Sequence, residues 1–186
     1  GNLNFNRVSD DRFLRDLTNN LEQTSRLNLV QQGIVSYNGG LGDGGSISFT
    51  GMVQRFQTLQ DSRTPFVLVS PYKRLPQLTV GVIKRNVAGM DLDLTSSWTN
   101  FSHPTLVNGK RFTLFPNVSV PMRNAFGYIT PKVGLHYTHY DLSTSRDTRG
   151  RGSSLDRTIP ILSLDSGVVF DRNMAVGGKR VTQTLE

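Results

Sequence analysis

The sequence predicts an all-β chain, an antiparallel transmembrane β-barrel segment of about eight to nine strands that forms an arc of a larger barrel. Three observations carry this. Apolar and polar residues alternate with a period of two from one end to the other, while helical spacing shows only faintly around Arg12 to Leu21. Hydrophobic residues make up 36% of the chain, below the roughly 45–50% of soluble domains, which suits strands that are greasy on one face only. The connections between strand-like stretches are alternately short and long, the loop asymmetry of a membrane barrel.

Each stretch supports this in turn. Leu3 to Val8 reads as mid-strand, and Ser9 to Thr24 is polar and reads as a long loop. From Arg26 to Tyr37, Leu27, Leu29, Val35 and Tyr37 oppose Asn28, Gln32 and Ser36, with Gln31 and Gly33 weakening the apolar face. The glycine cluster from Asn38 to Gly45 predicts a turn that uses positive φ angles. Ser46 to about Thr58 sets Ile47, Phe49 and Val53 against Ser48, Thr50 and Gln54, and Gln60 to Arg74 forms a longer connection. Leu78, Val80 and Val82 then oppose Gln77, Thr79 and Gly81, closed by a turn at Asn86 to Gly89. The cleanest alternation follows: Met90, Leu92, Leu94 and Trp98 on one side, Asp91, Asp93, Thr95, Ser97 and Thr99 on the other.

After a loop at His103 to Gly109, Phe112, Leu114, Val118 and Val120 oppose Arg111, Thr113, Asn117 and Ser119. From Tyr128 to about Leu142, Ile129, Val133, Leu135 and Tyr137 oppose Thr130, Lys132, His136 and Thr138, a stretch long enough to cross a bilayer. A polar loop from Ser143 to Arg157 leads to Thr158–Asp171, with Leu162, Leu164, Val168 and Phe170 against Ser163, Asp165 and Gly167. A Gly-rich turn and the opening of a further strand at Val181 to Glu186 complete the pattern. Both ends read as cuts through a longer protein. Pro76, Pro116, Pro131 and Pro160 fall at or inside these strands and predict bulges, strand ends or locally opened pairing.

Other classes fit less well. No apolar run reaches the length of a spanning helix and no signal peptide is apparent. The absence of cysteine excludes disulfides and thiolate metal sites in this stretch. The net charge of +7 comes from scattered residues, with one concentration at Arg146, Arg149, Arg151 and Arg157. A basic flank beside anionic lipid head groups accounts for it, and no nucleic acid is expected. Gly40, Gly42 and Gly45 match a dinucleotide fingerprint in letters, but a strand follows them where a helix is required, so a hairpin turn is the reading. His136 and His139 point to opposite faces of a strand, so no metal is expected there. Asp91 and Asp93 share a face with no histidine beside them, which favours a solvated wall over an acid–base pair. No cofactor and no catalytic set is expected.

The chain resembles, over nearly its whole length, the LptD family of outer-membrane lipopolysaccharide-assembly proteins, also called organic solvent tolerance proteins. The resemblance is carried by Asn4–Asp11 with Asp16-Leu17, Gln54–Leu59, Leu75–Leu78, Pro116–Pro121, Thr138–Tyr140, Ile159-Pro160 with Ser163–Asp165, and Gln183–Glu186. Pro76, Pro116, Pro121 and Pro160 stand where the family's pattern has proline. The resemblance implies a very large barrel behind a periplasmic jellyroll, with a plug lipoprotein, LptE, in the lumen and delivery of lipopolysaccharide to the outer leaflet. Residues 1–186 then form part of the C-terminal barrel domain, without the jellyroll, the cysteines and the strands expected to open laterally.

On that reading Asp91, Asp93, Arg111, Asn117, Lys132, His136 and Asp165 face the lumen, and Leu92, Leu94, Trp98, Phe112, Leu114, Val133, Leu135, Leu162, Leu164 and Phe170 face lipid. The implied partners are LptE, lipopolysaccharide, membrane lipid and, through the N-terminal domain, periplasmic bridge proteins; no covalent chemistry is implied. Two rivals make different demands. An independent eight-stranded outer-membrane barrel requires its first and last strands to pair, and a soluble β-sandwich requires a second sheet over the apolar face.

Overall fold

The computed structural model describes residues 1–10, 28–59, 69–143, 153–176 and 179–185. Within them the strands are β1 (Asn2–Phe5), β2 (Asn28–Gly40), β3 (Gly45–Thr58), β4 (Lys73–Val87), β5 (Met90–Ser102), β6 (Gly109–Ser119), β7 (Met122–Asn124), β8 (Gly127–Leu142), β9 (Ser154–Val168), β10 (Phe170–Val176) and β11 (Lys179–Leu185). No helix occurs among the described residues.

Nine strands form one antiparallel sheet in which each pairs with its neighbour in sequence, and β6 and β7 both pair β8. Hydrogen-bonded hairpins need no crossover, so the chain walks sideways one strand at a time. β1 and β9 lie at opposite edges and do not pair with each other among the described residues. The sheet is therefore open, which removes the closed eight-stranded barrel. β10 and β11 pair only with each other. Among the described residues no second sheet covers the apolar face, and Leu59 is the one buried hydrophobic residue. A soluble sandwich needs a core between two sheets, so that rival fails as well.

The prolines explain the irregularities. Val120 donates its N–H to Pro131 O at 3.0 Å, which fixes the alternation: even-numbered residues of β6 turn their backbone groups towards β8. Pro131 has no N–H to return to Val120, and the strand is interrupted there between β6 and β7. Pro116 also faces β8, and the β6–β8 ladder skips from Leu114↔Tyr137 to Asn117↔Gly134. Pro160 stands opposite Leu135 in the other phase, so its nitrogen points to the free edge and costs β8 nothing. Pro76 falls where the β4–β5 register shifts between Arg74 and Gln77.

Several strands extend beyond their predicted ends. Asn38, Gly39 and Gly40 pair with Ser48, Ile47 and Ser46, so the turn is confined to 41–44, with positive φ at Gly42 and Gly44. Lys84 Nζ ties that turn down by donating to Leu41 O and Asp43 O, both at 2.8 Å. Likewise β4 starts at Lys73, β9 starts at Ser154, and residues 172–176, read as turn, are strand. These stretches are polar and lack the apolar beat, yet their backbone groups still gain ladder partners. The faint helical spacing at Arg12 to Leu21, Leu27, the arginines at 146, 149 and 151, and the Gly177-Gly178 turn lie outside the described residues.

The long connections sit at one end of the sheet, and the loop between β5 and β6 belongs to that end. Its anchor is His103, which is 4% exposed. Its Nδ1 accepts N–H bonds from Thr105 at 3.0 Å and Leu106 at 2.9 Å, so the proton sits on Nε2, which donates to Ser70 O at 2.8 Å. Tyr72 stacks on the ring and donates its hydroxyl to Val107 O at 2.8 Å. His103→Ala strips partners from three part-buried backbone groups, each hydrogen bond being worth about 0.5–1.5 kcal/mol net. The expected outcome is rapid proteolytic nicking within 103–108 in the folded full-length protein, with the strands still protected; an unchanged digestion pattern would contradict the anchor.

Candidate functional site

The pairing registers sort the strands into two faces. Across β4, β5, β6 and β8, Gln77 pairs Thr99, Thr99 pairs Arg111, and Arg111 pairs Tyr140. One row along, Thr79, Ser97, Thr113, Thr138 and Arg157 stand side by side, and then Asp93, Asn117, Gly134 and Ile161. The same face carries Lys132 opposite Ser163 and Asp165 opposite Thr130. His136 stacks edge-on against Phe115 at 5.5 Å between centroids. Asp91, Asp93, Arg111, Asn117, Lys132, His136 and Asp165 therefore share one face.

Leu92, Val118, Val133 and Leu162 form one row of the other face, and Trp98 pairs Phe112 there. Leu94, Leu114, Leu135 and Leu164 share it, as does Val168, two residues before Phe170 on β10.

Shelter is distributed against the soluble pattern. Thr99 is fully buried, and Asn117 and Thr138 are nearly so, all on the polar face. On the apolar face Leu162 is 78% exposed and Leu164 63%. Soluble proteins bury apolar surface because water penalises it by about 25 cal/mol per Å². A sheet that shelters its hydroxyls and bares its leucines is arranged for an apolar solvent outside.

The polar face has both satisfied and unsatisfied groups. Ser97 and Thr113 share a 2.7 Å hydroxyl bond. Arg85 Nη1 reaches Asp91 Oδ2 at 3.4 Å and Asp93 Oδ2 at 3.2 Å, and Asp91 Oδ1 also accepts the Asn86 N–H at 2.9 Å. The two aspartates are thus held by one cation, an arrangement that makes them a structural clamp across the β4–β5 turn. Arg111 lies 5.2 Å from the Phe101 ring centroid, and its Nε is buried without a partner. Asn117 Oδ1 and Thr99 Oγ1 are also buried and unpaired. Buried polar atoms are nearly always bonded, so these three are exceptions sealed inside the sheet.

His139 lies on the opposite face from His136, as the strand period requires, and its Nδ1 is 2.8 Å from Asp156 Oδ1. Tyr137 donates to the same oxygen at 2.6 Å. Among the described residues no group of three or more His, Cys, Asp or Glu is placed to hold a metal.

Sequence reasoning passed over Arg85 and the Gln31–Arg55 pair, in which Arg55 Nε donates to Gln31 Oε1 at 2.6 Å, and it put Thr99 on the polar face without singling it out. Counting alone does not find Arg85: the two-residue turn at Ala88-Gly89 pairs Val87 with Met90 and so puts Asn86 opposite Asp91, and only the register shift between Lys84 and Val87 brings Arg85 to the two aspartates. Gln31 registered only as a weak point in an apolar face, and the register with Arg55 explains it.

Comparison with known proteins agrees with the all-β fold. The family model described as LPS transport system D, LptD, matches residues 1–186. The chain is 56% identical to the LPS-assembly protein LptD of Nitrosospira multiformis, over 99% of this chain and 20% of that protein. It is 52% identical to that of Nitrosomonas eutropha and 46% identical to that of Nitrosomonas europaea, each over 100% of this chain and 25% of the relative. The chain thus spans about a quarter or less of the length of the curated relatives it matches. A match along the full chain, at these identities and on an open all-β meander, places the protein in the LptD family.

Proposed function

We propose that this chain is an arc of the wall of an outer-membrane barrel that passes lipopolysaccharide to the outer leaflet. Its apolar face meets membrane lipid. Its polar face lines a lumen shared with a plug lipoprotein of the LptE type and with the saccharide of the cargo. Transport here is binding and release, with no bond made or broken by these residues. The jellyroll and the periplasmic bridge proteins that dock on it belong to the rest of the protein. The observation that carries this reading is the sheltering of the polar face beside a bare apolar one.

Asp91, Asp93, Arg111, Asn117, Lys132, His136 and Asp165 are the proposed lumen side. Arg111 and Lys132 carry the cationic donors of this face for a saccharide, whereas Arg111 Nε and Asn117 Oδ1 are sealed inside the sheet. The test places a photo-crosslinking residue singly at Asn117, Lys132 and Asp165, and at Leu92, Val133 and Leu162, in a full-length protein in living cells. The expected products are lipopolysaccharide or lipoprotein adducts from the first three and lipid adducts from the others. Membrane lipid captured from the first set would overturn the assignment of faces.

A further inference from the structure

One part of the apolar face is not apolar. At the long-loop end, Gln31, Arg55 and Gln57 lie in the same phase as Leu29, Gly33, Val35 and Val53. A hollow of about 400 Å³ there is lined by Arg7, Gln31, Arg55, Phe56, Gln57 and Lys73. It has three cations and no acidic residue in its wall, and no carboxylate pairs with any of the three among the described residues.

The cations are held in place. Gln31 is 8% exposed, fixes Arg55 through its Oε1 at 2.6 Å and donates Nε2 to Asn6 O at 3.0 Å. Gln57 brackets Val8, accepting its N–H at 3.1 Å and donating to its O at 2.8 Å, which fixes the backbone beside Arg7.

The hollow opens into a trough. Gln31 and Arg55 also line a cavity of about 390 Å³ with Leu3, Phe5, Val53 and Leu75. Leu3, Gly33 and Val53 continue into one of about 590 Å³ with Val35, Gly51 and Leu78. From Gln57 to Gly51 along β3 the feature runs about 20 Å, at roughly 3.3 Å per residue. Its floor is low because Gly33 and Gly51 present no side chain, although a Cβ would find only ordinary contacts, at 3.5 Å or more, at either position.

We propose that this feature binds one phosphorylated, acylated lipid of the leaflet at the long-loop rim. Arg7, Arg55 and Lys73 take its phosphate, and one acyl chain lies along Gly33 and Gly51. The proposal rests on the reading that the apolar face meets lipid. Charge complementarity at one end and apolar walls at the other select an amphiphile with a phosphate over a neutral lipid. The guanidinium of Arg55, pre-oriented by Gln31, adds directional bonds to phosphate oxygens.

The test uses the full-length protein in vesicles of phosphatidylcholine doped with diphosphorylated lipid A, carrying a photo-crosslinking residue in place of Val35. The expected result is preferential capture of lipid A over phosphatidylcholine, falling on the order of 10- to 100-fold when Arg7→Gln, Arg55→Gln and Lys73→Gln are combined. The Arg7→Gln/Lys73→Gln pair, which leaves the Gln31–Arg55 bond intact, loses a smaller part of the preference. Gly33→Leu with Gly51→Leu fills the trough and lowers capture in a barrel that still folds. Equal capture of both lipids in all variants overturns the proposal and leaves the lipid-facing reading standing. Capture of a protein in place of lipid overturns that reading itself. Displacement by inorganic phosphate with no effect of the glycine variants reduces the site to a plain anion site and overturns the lipid proposal.

Discussion

Val133→Arg in the full-length protein is expected to destabilise the barrel by about 2–4 kcal/mol, the cost of a cation near the bilayer midplane on a lipid-facing strand. Val133 is 57% exposed and stands in a row with Leu92, Val118 and Leu162. It is also the middle of the outward residues of β8, which run from Ile129 to Tyr137. Lys132→Val, one residue away on the polar face, is expected to change stability by no more than about 0.5 kcal/mol, as is usual for a substitution that breaks no packing or bonding network. The measurement is urea unfolding of the protein reconstituted in vesicles, read by the gel shift between folded and heated forms. Equal costs at the two positions would mean that both faces meet the same solvent, and the inside-out reading of the sheet would be lost.

The faces were legible in the sequence because a period of two converts directly into side-chain direction as long as no residue is inserted. β5, β6, β8 and β9 keep constant registers between Leu92 and Leu162, so the alternation read from Asp91 to Asp165 survives unchanged. Where the register shifts, at Met52/Gln54, around Leu75-Pro76 and between Lys84 and Val87, a face assignment by counting alone fails across the break. Strand ends were less legible. Ser154 to Arg157 and Arg172 to Val176 are strand because a neighbour's backbone is within reach, which the side-chain pattern does not advertise.

The least legible features were those that need two strands at once. The cation shared by Asp91 and Asp93 comes from Arg85 across a hairpin, and the basic hollow draws Arg7, Arg55 and Lys73 from three separate segments. Family resemblance supplied the larger barrel, which the residues alone left beside two rivals. The open edges of β1 and β9 and the uncovered apolar face then decided between them.

Gly134→Ala is expected to destabilise by about 1–3 kcal/mol, the cost of overpacking a filled site. A Cβ at that position would fall on Asn117 Oδ1 and lie 3.2 Å from Asn117 Cγ and 3.4 Å from Phe115 Cε2. Asn117 is 6% exposed, so its amide has little room to retreat. Asn117→Ala in the same chain removes the obstacle, and the two substitutions should couple favourably by about 0.5–3 kcal/mol, where independent sites add. Asn117→Ala alone is a different case. Its Oδ1 has no partner and its Nδ2 makes only a 3.5 Å contact to Phe115 O, so deleting the amide relieves an unsatisfied acceptor and stability should hold. Lipopolysaccharide delivery should hold as well, because that oxygen is sealed inside the sheet against Gly134 and no cargo group reaches it. A stable Asn117→Ala protein with impaired transport would show that the amide turns towards the cargo in the working protein, and the account of Asn117 as a packing partner of Gly134 would be lost.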